Sequence, residues 1–167
     1  MIIKPLVGVD ICGKELRLGA SENEIRSVLG EPYSVWENSL YYFKNELRFD
    51  LENGSAEFIE FLGGIDGELQ PMIYGTLAFQ TGADKLFDIL AEKNRGEIDD
   101  SENGYSYGFL EISVGVYRET VPEDVRKIIE DAEEDGEPLD DEEIAEEMRR
   151  ASHWDTIGIG IANYYGT

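Results

Sequence analysis

The chain has 167 residues, with 37 Asp and Glu against 14 Lys and Arg, a formal net charge of −23. That balance argues against direct binding of nucleic acid or anionic lipid, whose surfaces attract Lys and Arg, and leaves a basic protein as the fitting macromolecular partner. Apolar residues at 41% and aromatics at 11% are too many for a disordered acidic tail, so one folded domain over residues 1–167 is expected. No apolar run is long enough for a bilayer-spanning helix, and Lys4 and Pro5 interrupt the first ten residues, which do not read as a signal peptide. The lone Cys12 excludes an internal disulfide framework and fits a reducing cytoplasm.

Leu6–Leu18 reads as a hairpin turning near Gly13 and Lys14. Ser21 and Glu24 form a capping box for a short helix carrying Ile25, Val28 and Leu29, which Gly30 and Pro32 stop. An antiparallel meander follows: Leu40–Phe43, Glu46–Leu51 and Ala56–Leu62, turned by Lys44-Asn45 and by the strong hairpin pair Asn53-Gly54. Leu47, Phe49 and Leu51 alternate with Arg48, Asp50 and Glu52, which predicts one buried and one wet face. Residues 63–70 read as a loop and Ile73–Phe79 as a strand. Thr81 and Asp84 open a second helix with Ala83, Leu86, Phe87 and Leu90 inward. After a polar loop at 97–104, Tyr105–Leu110 and Ile112–Arg118 read as strands, and Thr156–Tyr165 as the last one.

The acids are unevenly placed. Between Glu119 and Arg150 there are 15 acids and 4 bases, a net −11, against −12 for the other 135 residues. This segment reads as two helices. The first is capped by Thr120 and Glu123, with Val121, Val125, Ile128, Ile129 and Ala132 as a stripe expected to lie on the core. Asp135-Gly136-Glu137-Pro138 breaks it. Asp140 or Asp141 opens the second, whose few apolar residues are Ile144, Ala145, Met148 and Ala151. The fold class expected is α+β: an antiparallel sheet with several helices and an acidic helical hairpin near the C-terminus.

Motifs with catalytic chemistry are sparse. Asp131–Glu142 matches a calcium loop at Asp131, Glu133, Asp135, Gly136 and Glu142, but Pro138 stands at the eighth position and no second loop pairs with it. The plainer reading is a solvated corner, with a divalent-cation protein or enzyme as the alternative. His153 and Cys12 occur once each, too few for a His/Cys metal site; His153 is expected to cap a helix end or pair with Asp155. Gly158 and Gly160, with Gly115, mark close approach of another element instead of a nucleotide-binding turn. No catalytic residue, metal or cofactor is assigned.

Like charges three or four residues apart on a helix repel, so the crowding of Glu130, Asp131, Glu133, Glu134, Asp135, Glu137, Asp140, Asp141, Glu142 and Glu143 suggests a field presented to something positive. Trp36 and Trp154 are candidate buried anchors beside it. The run Gly104–Phe109, the stretch Ile112–Arg118, the acidic double helix and His153–Gly160 together resemble small bacterial immunity proteins of polymorphic toxin systems, including contact-dependent growth inhibition and WapA-type systems. That resemblance implies a cytoplasmic, non-catalytic module that neutralises a cognate toxin, commonly a nuclease. It carries no interface residues over, so the partner-binding set (Glu130, Glu133, Glu134, Asp135, Glu137, Asp140, Asp141, Glu143, Trp36 and Trp154) rests on charge and aromatic character. A general acidic adaptor or structural protein is the remaining alternative.

Overall fold

Tight turns organise the first half of the chain. In the computed structural model, which describes residues 1–166, strands β1 (Ile2–Lys4), β2 (Gly8–Ile11) and β3 (Lys14–Arg17) form an antiparallel meander. Cys12 and Gly13 link the last two at φ 54° and 85°, the paired positive values of a tight hairpin turn. Helix α1 (Glu22–Leu29) begins with the expected box: Glu24 N–H donates to Ser21 Oγ at 3.2 Å, and Ser21 N–H to the Glu24 carboxylate at 2.8 Å. Gly30 at φ 80° ends it.

The meander continues through β4 (Ser34–Trp36), β5 (Ser39–Tyr42), β6 (Leu47–Glu52) and β7 (Ser55–Phe61), with Asn53 and Gly54 at φ 51° and 79° in the last turn. Ile73–Phe79 is not one strand. It holds most of a miniature hairpin, β8 (Met72–Ile73) and β9 (Thr76–Leu77), turned by Tyr74 and Gly75 at φ 49° and 75°. Helix α2 (Ala83–Asn94) starts after Gly82, and no side chain caps it, contrary to the expected Thr81 cap. A tertiary partner replaces the local one, because Ala83 N–H donates to the Ser152 carbonyl at 2.7 Å. The rest is β10 (Ile98–Asp99), β11 (Ser106–Phe109), β12 (Val114–Tyr117), α3 (Pro122–Glu134), α4 (Asp141–Ala151) and β13 (Thr156–Gly160).

Two sheets result. One has five strands in the order β3-β2-β1-β8-β9; the other has eight in the order β10-β11-β12-β13-β7-β6-β5-β4. Among the described residues all strand pairings are antiparallel except β1 with β8. The α+β class expected from the sequence is the class observed. Register places Leu40, Phe49, Ile59, Ile159, Val114 and Phe109 in one unbroken row across six strands, every member buried. These side chains merge with Ile3, Val9, Leu16 and Ile73 of the small sheet, Ile25 of α1 and Leu86 and Leu90 of α2 in a single core. Burial of each such side chain contributes about 1.5–3 kcal/mol.

The opposite face of the large sheet is not simply wet. The neighbouring register row runs Tyr41, Arg48, Glu60, Gly158, Gly115, Gly108, so three glycines sit side by side on adjacent strands. Strand β13 ends at Gly160 and does not continue to Tyr165; the chain turns at Ile161–Tyr164 and brings two tyrosines back over this trough. Tyr165 lies on Gly115 and Gly108, Phe58 covers Gly158, and Tyr164 covers Gly160 while stacking on Phe58 at 4.7 Å between centroids. The approach expected at these glycines is therefore made by aromatic rings, not by another backbone. Burial pushes the Tyr165 phenol strongly up. Beneath the rings, Arg48 Nη2 donates to Glu60 at 2.6 Å, and its Nε sits 3.1 Å from Asp50 without hydrogen-bond geometry. Burial raises the Glu60 carboxyl, opposed by Arg48.

Candidate functional site

The acidic segment folds as a helical hairpin held only at its foot. Helix α3 opens at Val121 with Pro122 as its first residue, where a missing N–H costs nothing. The expected Thr120/Glu123 box does not form; Asp124 takes the role, accepting from Val121 N–H at 3.1 Å and from Tyr105 Oη at 2.8 and 2.7 Å. The Tyr105 hydrogen bond holds the Asp124 carboxyl below the usual carboxylate range and pushes the Tyr105 phenol up. Helix α4 opens on the box between Asp140 and Glu143, each donating a backbone N–H to the other's carboxylate, at 3.0 and 2.8 Å. His153 caps its end, its Nδ1 lying 2.6 Å from the Arg149 carbonyl.

Only Val121, Val125 and Ala151 of this segment are buried. The stripe predicted to lie on the core does so over one turn, at Val121 and Val125; Ile128 is exposed in the cleft facing α4, and Ile129 and Ala132 are half-buried. The hairpin thus stands away from the sheets along most of its length. Arg118 fixes its foot. This buried side chain donates from Nε to the Gly104 carbonyl at 3.0 Å and from Nη1 to the Ala151 carbonyl at 2.8 Å, with its guanidinium 4.8 Å above the Trp154 ring. Burial lowers its pKa. Nothing in the sequence pattern marked Arg118, since an arginine closing a strand reads as solvated.

Trp154 is 1% exposed, and its Nε1 donates to the Ala83 carbonyl at 3.1 Å. It is a core side chain joining α2 to the hairpin's foot, so it has no free surface with which to anchor a partner, contrary to expectation. Trp36 is the reverse case, 69% exposed on β4.

The carboxylates of Glu130, Asp131, Glu133, Glu134, Asp135, Glu137, Asp140, Asp141, Glu142 and Glu143 are all exposed, and among the described residues none is in an ion pair. The segment's arginines are committed elsewhere: Arg126 to Glu123, Arg149 to Asp66 and Glu146, and Arg150 to Glu146. Between the helices lies a cleft of about 520 Å3, with Ile128 and Leu139 as its apolar lining and Glu142, Glu143, Glu146, Glu147 and the Glu146-paired Arg150 around them. Asp131–Glu142 does not gather as a calcium loop; among the described residues no three Asp, Glu, His or Cys side chains converge as a metal site. A second cleft of about 590 Å3 at the hairpin's foot includes Asp66, Glu119, Glu147, Arg150 and Asp155. There Asp66 is paired with Arg149, and Asp155 accepts the Glu119 N–H at 2.8 Å. Among the described residues no helix is long and apolar enough to cross a membrane.

Comparison with protein families, characterised proteins and solved structures gives no match for this chain. The functional reading therefore rests on the site itself.

Proposed function

We propose that this chain is a non-catalytic binding protein that docks a basic protein partner through its acidic hairpin, acting as an immunity protein against a cationic toxin such as a nuclease. One observation carries the reading: ten carboxylates crowd a hairpin that stands off the core, and none is neutralised by a basic side chain among the described residues. Carboxylates that serve the fold are paired or capped, as Asp66, Asp124 and Asp155 are here. Of the ten, only Asp140 and Glu143 have such partners among the described residues, each accepting the other's backbone N–H, while the hairpin acids outside the ten that serve the fold, Glu123, Asp124 and Glu146, are paired or capped. An array of this kind raises the encounter rate with a positive cleft and selects against acidic partners. The apolar lining at Ile128 and Leu139 supplies the water-excluding contact that charge alone lacks.

The test is protection. Cells expressing this chain should survive a basic toxin encoded beside it, whereas Glu133→Gln, Glu134→Gln, Asp135→Asn and Glu137→Gln together should lose protection while the protein stays folded. Full protection by the quadruple variant would reject the hairpin as the docking surface.

A further inference from the structure

A second surface, separate from the hairpin, presents main-chain pairing groups with bulky apolar cover. Strand β4 is an edge of the eight-stranded sheet, paired only with β5. Among the described residues no other backbone group bonds to Ser34–Trp36, so its outward N–H and C=O groups are open. Sheet edges in folded proteins are ordinarily guarded by Lys, Pro, a bulge or a covering loop, because an open edge templates the pairing of another strand. Here Pro32 precedes the strand, and its three residues include no Lys, Pro or bulge. Instead Tyr33, Val35 and Trp36 stand 66%, 53% and 69% exposed, and Ser34 is held by its Oγ hydrogen bond to Asn45, in the turn after β5, at 2.6 Å. The other edge, β10, is only two residues long, and its Ile98 is half-buried.

Charge states what the edge accepts. Val35 lies in a cleft of about 360 Å3 shared with Leu40 and Leu51 and bordered by Glu22, Glu37 and Glu52. Glu22 is engaged by Arg26, while Glu37 and Glu52 are in no ion pair among the described residues. The indole face of Trp36 is itself attractive to a cation. A second copy of the chain fits poorly, since it would bring its own −23 charge and set two carboxylate-bordered clefts together. We propose that β4 is a strand-addition site for an extended basic segment of a different protein. Main-chain bonds to the open edge would hold the segment, alternate apolar side chains would cover Val35, and Lys or Arg side chains would reach Glu37, Glu52 and the Trp36 ring.

The probe is a capped peptide of alternating lysine and valine, titrated into the full chain while Trp fluorescence and backbone hydrogen exchange are followed. Saturable binding should blue-shift the emission of Trp36, Trp154 being already buried, and slow exchange within residues 34–36. Val35→Lys, which installs the missing edge guard, and Trp36→Ser should each weaken binding roughly tenfold. The glutamate–valine peptide should not bind. Because the hairpin lies elsewhere, its quadruple neutralisation should leave the slowed exchange at 34–36 in place, which separates this proposal from the previous one. It is overturned if the lysine–valine peptide does not bind, if protection appears only in the hairpin, or if Val35→Lys binds as the unmodified chain does.

Discussion

Neutralising the hairpin should make the protein more stable, and the size of the effect follows from where the carboxylates stand. Within α3, Glu130 faces Glu133 and Glu134 at three and four residues, and Asp131 faces Glu134 at three. Each like pair costs a few tenths of a kcal/mol, so three pairs amount to about 1 kcal/mol at low salt. Glu133 and Glu134 also occupy the last turn of α3, the negative end of its dipole, where no basic residue compensates. Neither carboxylate is in an ion pair among the described residues, so glutamine there removes repulsion without breaking a contact. Glu133→Gln with Glu134→Gln should therefore stabilise the fold by about 1 kcal/mol at low ionic strength, a rise in Tm of about 2–4 °C for a chain of this size. The gain should shrink as salt screens the charges. Urea and thermal unfolding at low and high salt measure it. A loss of stability would show that these acids hold the hairpin together, and the inference that they face outward for a partner would fail.

Three further outcomes follow from the fold. Arg118→Met strips the Gly104 and Ala151 carbonyls of a charged donor, and should lower stability by about 2–3 kcal/mol in urea unfolding, with faster hydrogen exchange through α3 and α4; unchanged exchange there would refute its clamping role. At Gly8 a Cβ would press into the Leu16 carbonyl and stand 2.7 Å from Arg17 Cα, so Gly8→Ala should cost about 3 kcal/mol or more, whereas Gly13→Ala, at φ 85° with open space around it, should cost about 1 kcal/mol. Because Tyr165 holds its proton in the folded state above the pH at which the unfolded chain releases it, stability should fall as pH rises past about 10; Tyr165→Phe should flatten that decline, read by tyrosinate absorbance and alkaline unfolding.

Local rules carried the reading wherever a local interaction decides the outcome. The Ser21/Glu24 box, the Asn53-Gly54 turn and the alternation of Leu47, Phe49 and Leu51 each satisfy their backbone within a few residues, and each was legible. Expectations failed where a distant partner took over. The Ser152 carbonyl holds the start of α2, so Gly82 suffices where Thr81 was expected. Two tyrosines after Gly160 fold back onto a glycine row that exists only once three strands are in register. The helical period of α3 identified an apolar stripe but not how deeply it is covered: Val121 and Val125 are buried, while Ile128, Ile129 and Ala132 keep exposure to solvent. For the candidate site, the sequence located the charge and could not sort the tryptophans. Trp154 is buried by an arginine thirty-six positions away, while Trp36 is left on an open edge.

The most direct measurement is the association rate constant between this chain and a basic toxin of the kind it is proposed to neutralise, followed by stopped-flow fluorescence across a salt series. The unmodified chain should associate fast at low salt and slow steeply as salt rises, and the quadruple hairpin variant should be roughly tenfold slower at low salt with a shallower dependence. A rate that ignores salt, or one identical in the two proteins, contradicts docking through the hairpin's field.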